Sequence, residues 1–194
     1  VDETGDCSIS GGMKVLAAAG KANAIDVGPA RWMDVDSPDM HRLAHKWLSP
    51  ASKSKMGSDE IRKKIVAVGH RGTKKFAPEN TLAAHEAAFA LGARAIEFDV
   101  RCTADGHFVL MHDSTVNRTT NGAGRVHKMT LAEIKKLDAG SPKGPEFSGE
   151  PVPSLREALR NVKGRFAVDI DFKSGPRNSA AILANVLEEE GFSS

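Results

Sequence analysis

The sequence predicts an α/β fold organised around a parallel sheet. Three observations carry this. Strand-like apolar runs alternate with helical stretches from residue 65 onward. Two of the runs place acids on one face and large apolar residues on the other. Helix-opening caps stand in the intervals between the strands.

The first strand is expected at Ile65-Val66-Ala67-Val68-Gly69, an uninterrupted apolar run suited to a position buried on both faces. A helix follows from about Thr81 to Leu91 and stops at Gly92, a residue that readily takes the left-handed conformation closing a helix. Ala95 to Val100 reads as the second strand and Phe108 to Met111 as a short third. Thr130 with Glu133, and Ser154 with Glu157, have the spacing of capping boxes. In such a box the hydroxyl accepts the third residue's amide and the acid reaches back to the cap. They open helices at 130–137 and after Ser154. Arg165 to Phe172 is a further strand, and Ser179 to Glu190 a final helix.

Upstream lies a separate, smaller α/β fragment, residues 1–48. Met13, Val15, Leu16 and Ala19 can line a helix face, Ala24 to Val27 is a short strand, and Ser37-Pro38 opens a helix to about Leu48. Ser49 to Ser58 is rich in Ser and Lys with no apolar period. The expected organisation is therefore 1–48, a linker at 49–62, and a main unit at 63–194.

Composition narrows the function classes. Hydrophobic residues make up 40% and charged residues 27%, as in ordinary globular proteins. The net charge is only +2 and the basic residues are scattered, so no nucleic-acid footprint is expected. No apolar run of about 18 residues exists, and no transmembrane helix is expected. The chain begins at Val1 without a signal pattern, and both ends look cut. Cys7 and Cys102 form neither a disulfide framework nor a zinc site. Two free thiols suit a reducing, cytoplasmic compartment. Nothing in the composition sets the oligomeric state.

Alternation along the second strand puts Glu97 and Asp99 on one face, with Ile96, Phe98 and Val100 on the other. The later strand repeats the pattern, with Asp169, Asp171 and Lys173 opposite Val168, Ile170 and Phe172. His70 falls at the C-terminal end of the first strand. Converging carboxylates repel and are costly to bury unpaired. A hard divalent cation, Mg²⁺ or Ca²⁺, resolves that conflict through oxygen ligands. Glu97, Asp99 and Asp171 are the expected ligands, with Asp169 a neighbouring competitor. A phosphodiester needs its charge neutralised, a nucleophile activated and a leaving oxygen protonated. The cation and Arg71 can supply the first, His70 and His112 the other two, and Lys173 a further positive charge.

These residues stand in an ordered series. It runs Gly69-His70-Arg71-Gly72, Ala77-Pro78-Glu79-Asn80-Thr81 and Gly92-Ala93-Arg94-Ala95-Ile96-Glu97-Phe98-Asp99-Val100. Thr103-Ala104-Asp105-Gly106, His112-Asp113 and Asn117-Arg118-Thr119-Thr120-Asn121-Gly122 follow. Pro153-Ser154-Leu155-Arg156-Glu157 and Ile170-Asp171-Phe172-Lys173 complete it. The series resembles the glycerophosphodiester phosphodiesterase family. That resemblance implies a (β/α)₈ TIM-type barrel and hydrolysis of a small-molecule glycerophosphodiester to glycerol 3-phosphate and an alcohol. It implies that His70 and His112 are the acid/base pair and that Glu97 and Asp99 are metal ligands. Asp171 stands where the family usually has a glutamate, one methylene longer. Arg71 and Glu79 match positions near the substrate. A small insertion is implied within residues 113–153. A complete barrel takes about 250 residues, so only its N-terminal part is expected in 65–194.

Gly11-Gly12-Met13-Lys14-Val15-Leu16 and Arg31-Trp32-Met33-Asp34-Val35-Asp36-Ser37-Pro38-Asp39 resemble the closing segment of a sugar-phosphate or alcohol-phosphate nucleotidyltransferase. This implies a bifunctional parent. Two other outcomes stay open at this point: an inactive fragment, and phosphotransfer to an internal hydroxyl that yields a cyclic phosphate.

Overall fold

The computed structural model describes residues 67–192. The elements expected in 1–48, the linker at 49–62, and Ile65 and Val66 lie outside the described residues. Within them the chain runs β1 (Val68–His70), α1 (Leu82–Ala90), β2 (Ala95–Cys102), β3 (Phe108–Leu110), α2 (Leu131–Ile134), α3 (Leu155–Val162), β4 (Ala167–Ser174) and α4 (Ser179–Glu189). Short 3₁₀ turns occur at Val126–Lys128 and Pro145–Phe147. Among the described residues no helix is long and apolar enough to cross a membrane.

β2 is the centre of a four-stranded sheet. β4 pairs with it in parallel from Ala95↔Ala167 to Arg101↔Ser174 and occupies one edge. The other edge is shared. β1 runs parallel to its first half, from Val68↔Ala95 to His70↔Glu97. β3 runs antiparallel to its second half, from Val100↔Leu110 to Cys102↔Phe108. β3 can turn back because residues 103–107 close a tight hairpin: Thr103 N–H donates to His107 O at 2.8 Å, and Gly106 takes φ +82°.

The apolar face of β2 builds the main core. Ile96, Phe98 and Val100 are fully buried and pack with Leu155, Ala158, Leu159 and Val162 of α3 and Leu183 and Val186 of α4. The α3 residues recur at helical spacing, so one stripe faces the sheet. A second core gathers Val109, Met111, Val116, Val126, Ile134, Ala139 and Val152. It gives the excursion between β3 and α3 its own interior, in the stretch where the insertion was expected.

Both capping boxes are present, at Thr130/Glu133 and Ser154/Glu157. Several boundaries differ from expectation: β2 and β4 run on to Cys102 and Ser174, β3 stops at Leu110, and two further differences have a plain cause. α2 ends at Ile134 rather than Leu137, because the chain tightens into i→i+3 bonds from Lys136 to Glu133 and from Leu137 to Ile134. β4 begins at Ala167 rather than Arg165, because the amides of Arg165 and Phe166 both donate to Val162 O. Those two residues complete the end of α3, after Gly164 at φ +72°.

Candidate active site

The site begins where β1 ends. Arg71 has φ 52° and Gly72 φ 79°, so the backbone reverses sharply after His70. A left-handed arginine costs on the order of 1–3 kcal/mol. The reversal aims the Arg71 N–H at Glu97 Oε2, 2.9 Å away, and the Gly72 N–H at Glu97 O, 3.3 Å away. The turn is wound tightly against α1. A Cβ on Gly69 would lie 2.6 Å from Gly72 O, and one on Gly72 would lie 2.4 Å from the Ala84 Cβ. The small residues on α1 are what permit this approach.

Asn80, also left-handed at φ 58°, ties the start of α1 to β2. Its Nδ2 donates to Asp99 Oδ2 at 2.8 Å, and its Oδ1 accepts the Asp99 N–H at 3.1 Å. Its own N–H donates to Arg71 O at 3.0 Å. Thr81 then caps α1 by accepting from the Ala84 N–H.

The expected acids come together. Register places Asp99 of β2 opposite Asp171 of β4. One carboxylate oxygen each from Glu97, Asp99 and Asp171 lies within 4.8 Å of the others. Asp169 pairs opposite Glu97 but is exposed and lies outside this trio. Asp99 is fully buried, with Arg71 Nε at 3.1 Å from Oδ2 and Lys173 Nζ at 3.0 Å from Oδ1. Lys173 also bonds Asp171. His70 Nε2 lies 3.7 Å from Glu97 Oε2.

The electrostatics are unbalanced. Burial pushes the Glu97 carboxyl up to about 7; the Arg71 N–H opposes this and the Asp99 charge adds to it. Asp99 Oδ1 is buried without a well-formed hydrogen bond, and Lys173 neutralises it by charge alone. Three carboxylates that converge with hard oxygen donors, Glu97 among them pushed up by burial, fit a divalent cation. Oxygens bound to one Mg²⁺ or Ca²⁺ lie at most about 4–5 Å apart, and these three lie within 4.8 Å of one another.

A second set of groups stands after β3. Arg101 grips the His112 carbonyl with Nε at 2.8 Å and Nη2 at 2.6 Å, and reaches Ser174 Oγ at 3.0 Å. His112 Nδ1 is 2.7 Å from Asp113 Oδ1. Arg118 donates from Nε to Asp113 Oδ2 at 2.7 Å, and from Nη1 and Nη2 to Glu79 Oε2 and Oε1 at 2.9 and 2.7 Å. Arg71 Nη1 also donates to Glu79 Oε1, at 3.2 Å. Burial pushes the Glu79 carboxyl up, but Arg118 and Arg71 outweigh it and hold the group below its ordinary range. Hydrogen bonding from Arg118 holds Asp113 well below the usual carboxylate range.

Glu79 precedes the Thr81 cap, and α1 has no acid in its first turn. Asn80, Arg101, Asp113 and Arg118 are structural members of the site that residue-type reasoning passed over. Asn80, Asp113 and Arg118 stood inside the quoted motifs. Arg101 shares the alternating face of Glu97 and Asp99. His85 is fully buried, with Nδ1 3.2 Å from Asn161 Oδ1 and its ring stacked on Phe98. It belongs to the core.

Comparisons with known proteins give the family and the fold. A model of the glycerophosphoryl diester phosphodiesterase family matches residues 70–187. The chain is 51% identical over 113 residues to a glycerophosphodiester phosphodiesterase of Caldanaerobacter subterraneus, covering 58% of this chain and 46% of that protein. It is 47% identical over 131 residues to human glycerophosphodiester phosphodiesterase 1, covering 66% and 40%. A crystal structure of the Agrobacterium tumefaciens glycerophosphodiester phosphodiesterase superposes with a TM-score of 0.62 at 43% identity, covering 65% of this chain and 53% of that one. An Oleispira antarctica phosphodiesterase in complex with the product sn-glycerol-3-phosphate gives 0.61 at 37%, covering 64% and 52%. The chain spans about half the length of the curated relatives it matches. The described residues thus supply the leading part of the same barrel-type α/β fold, and the chain belongs to the glycerophosphoryl diester phosphodiesterase family.

Proposed function

We propose that this protein hydrolyses glycerophosphodiesters to glycerol 3-phosphate and an alcohol with the help of a divalent cation. The observation that carries the reading is the trio Glu97, Asp99 and Asp171, drawn from two strands to within 4.8 Å with His70 beside it. Those three carboxylates would hold Mg²⁺ or Ca²⁺. The ion, when bound, would offset phosphate charge and acidify a coordinated oxygen. Asp171, though one methylene shorter than a glutamate, belongs to the trio, which supports its place as the third ligand.

The residues of the chain would do the rest. Arg71 and Lys173 lie at the acid trio and would hold the non-bridging phosphate oxygens. Glu79 would keep the Arg71 guanidinium oriented. In hydrolysis a water oxygen bonds phosphorus and the ester P–O bond breaks. His70 and His112 would share the proton work, one imidazole taking the proton of water and the other protonating the departing alkoxide. The relative solved with sn-glycerol-3-phosphate supports a product of that class.

The phosphodiesterase unit is assigned to residues 63–194 and the linker to 49–62. For residues 1–48 the likeness to a nucleotidyltransferase terminus rests on its motif alone, since the family match starts at residue 70. A cytoplasmic location rests on cysteine usage, with Cys102 a buried free thiol.

The test is release of glycerol 3-phosphate from glycerophosphocholine with added Mg²⁺ or Ca²⁺. It is followed by ³¹P spectroscopy on this chain and on one extended past Ser194. Cation-dependent release that EDTA abolishes is expected. A cyclic phosphate as the product, or no release from either chain, overturns the proposal.

A further inference from the structure

We propose that Arg118 is a positioning residue for His112, acting through Asp113, and that through Glu79 it locks His112 to the Arg71 turn. The proposal rests on the phosphodiesterase reading above, and it adds a residue to which that reading gave no role. Arg118 forms ion pairs with two carboxylates on two separate loops. It reaches Asp113, five residues before it, and Glu79, 39 residues before it. Each carboxylate receives two of its N–H groups. Such planar, forked pairing fixes orientation as well as distance.

The side chain of Arg118 is 48% exposed, so these pairs contribute little to folding. What they fix is direction. Asp113 is an ionised acceptor, so the proton between it and His112 sits on Nδ1. That leaves Nε2 as the basic nitrogen of the neutral ring. Arg118 occupies both oxygens of Asp113 and so sets the angle from which Oδ1 meets the ring. Through Glu79, which also accepts from Arg71, the same guanidinium joins the His112 loop to the turn that carries His70 and Arg71. The two histidines of the proposed acid/base pair would then hold a fixed separation even though one ends β1 and the other stands on the loop after β3.

The experiment uses the whole chain with Arg118→Met, Arg118→Lys and Asp113→Asn. Turnover of glycerophosphocholine is measured together with the ¹⁵N spectrum of the His112 ring. Arg118→Met should lower kcat about ten- to a hundredfold, the scale of a small misplacement of a reacting group, and leave KM within about twofold. It should leave the melting temperature near that of the wild type. The ring signals should pass from one Nδ1–H tautomer to a mixture, and added guanidinium ion should restore part of the rate. Arg118→Lys, a point charge without a fork, should fall between. Combining Arg118→Met with Asp113→Asn should cost no more than the larger single change. A wild-type kcat in Arg118→Met, or a His112 ring still held as the Nδ1–H tautomer, overturns the proposal. If neither the wild-type chain nor the one extended past Ser194 releases glycerol 3-phosphate, the phosphodiesterase reading fails. The tautomer spectrum then decides the Arg118–Asp113–His112 link by itself.

Discussion

Glu97, Asp99 and Asp171 project from paired strands, whereas Glu79, His112, Asp113 and Arg118 stand on the turns and loops beyond them. The first group is held by the sheet. Seven residues of β2 are registered against β4, and the apolar face behind the acids is fully buried. The second group is held by arginines: Arg118 serves two carboxylates, Arg101 grips the His112 carbonyl, and Arg71 reaches Glu79. The strand-borne acids are therefore placed before any cation arrives, and at Glu97 they carry an unbalanced cost of burial, to which repulsion from Asp99 adds. The loop-borne groups carry no such cost, because their charges alternate, but their geometry depends on a half-exposed arginine.

Damage on the strand side should be the most severe. Asp99→Asn keeps the shape but removes the buried charge that Arg71 and Lys173 face. It should lower turnover by about a thousandfold or more and weaken Mg²⁺ or Ca²⁺ binding in calorimetry. Unchanged cation affinity would break the assignment of the strand side to metal. His70→Ala and His112→Ala should each cost about 10²–10⁴ in kcat with cation affinity retained. A His112→Ala protein that loses the cation would erase the division between the two groups.

The sheet's own stability is probed from behind. His85 packs on Phe98, and burial lowers its pKa to about 4 against the Asn161 bond, which opposes the shift. The unfolded imidazole takes its proton near 6.5. The neutral ring's contribution is whole above that pH and is lost as the pH falls toward 4, by up to roughly 3 kcal/mol. Urea unfolding at pH 7 and 4.5 should show the loss, and His85→Leu should lessen it relative to the wild type. The smallest effect is expected at Ser154, the cap of α3. Ser154→Ala should destabilise by about 1 kcal/mol, read from the urea midpoint, with turnover kept.

The strand side was legible in the sequence because alternation is a local signal. Glu97 and Asp99 faced away from Ile96, Phe98 and Val100 in the pattern, and they do so in the fold. The capping boxes were equally local. The start of β4 was misjudged because Arg165 and Phe166 look like strand residues; only their bonds to Val162 show that they end a helix. Arg165 is held there by Glu86 and lies over the Phe89 ring, contacts no short pattern encodes. The arginine network was not legible for the same reason. The resemblance set Glu79 near the substrate but gave Arg118 no role, and only folding brings the two together across 39 positions. The reversal at Arg71 needs Gly69 and Gly72 beside it, and a short glycine-flanked triplet does not announce a left-handed arginine.

The antiparallel return of β3 has a consequence for engineering. The Leu110 N–H donates to Pro153 O at 2.9 Å, and Val109 bridges Ser154, so the excursion that follows β3 leaves and rejoins the sheet at neighbouring points. It encloses its own apolar interior, and it carries His112, Asp113 and Arg118 together. It has the form of a cassette: exchanged as a block between related chains, it would transplant one histidine together with Asp113 and Arg118, with Glu79 and Arg101 among the outside contacts to be matched.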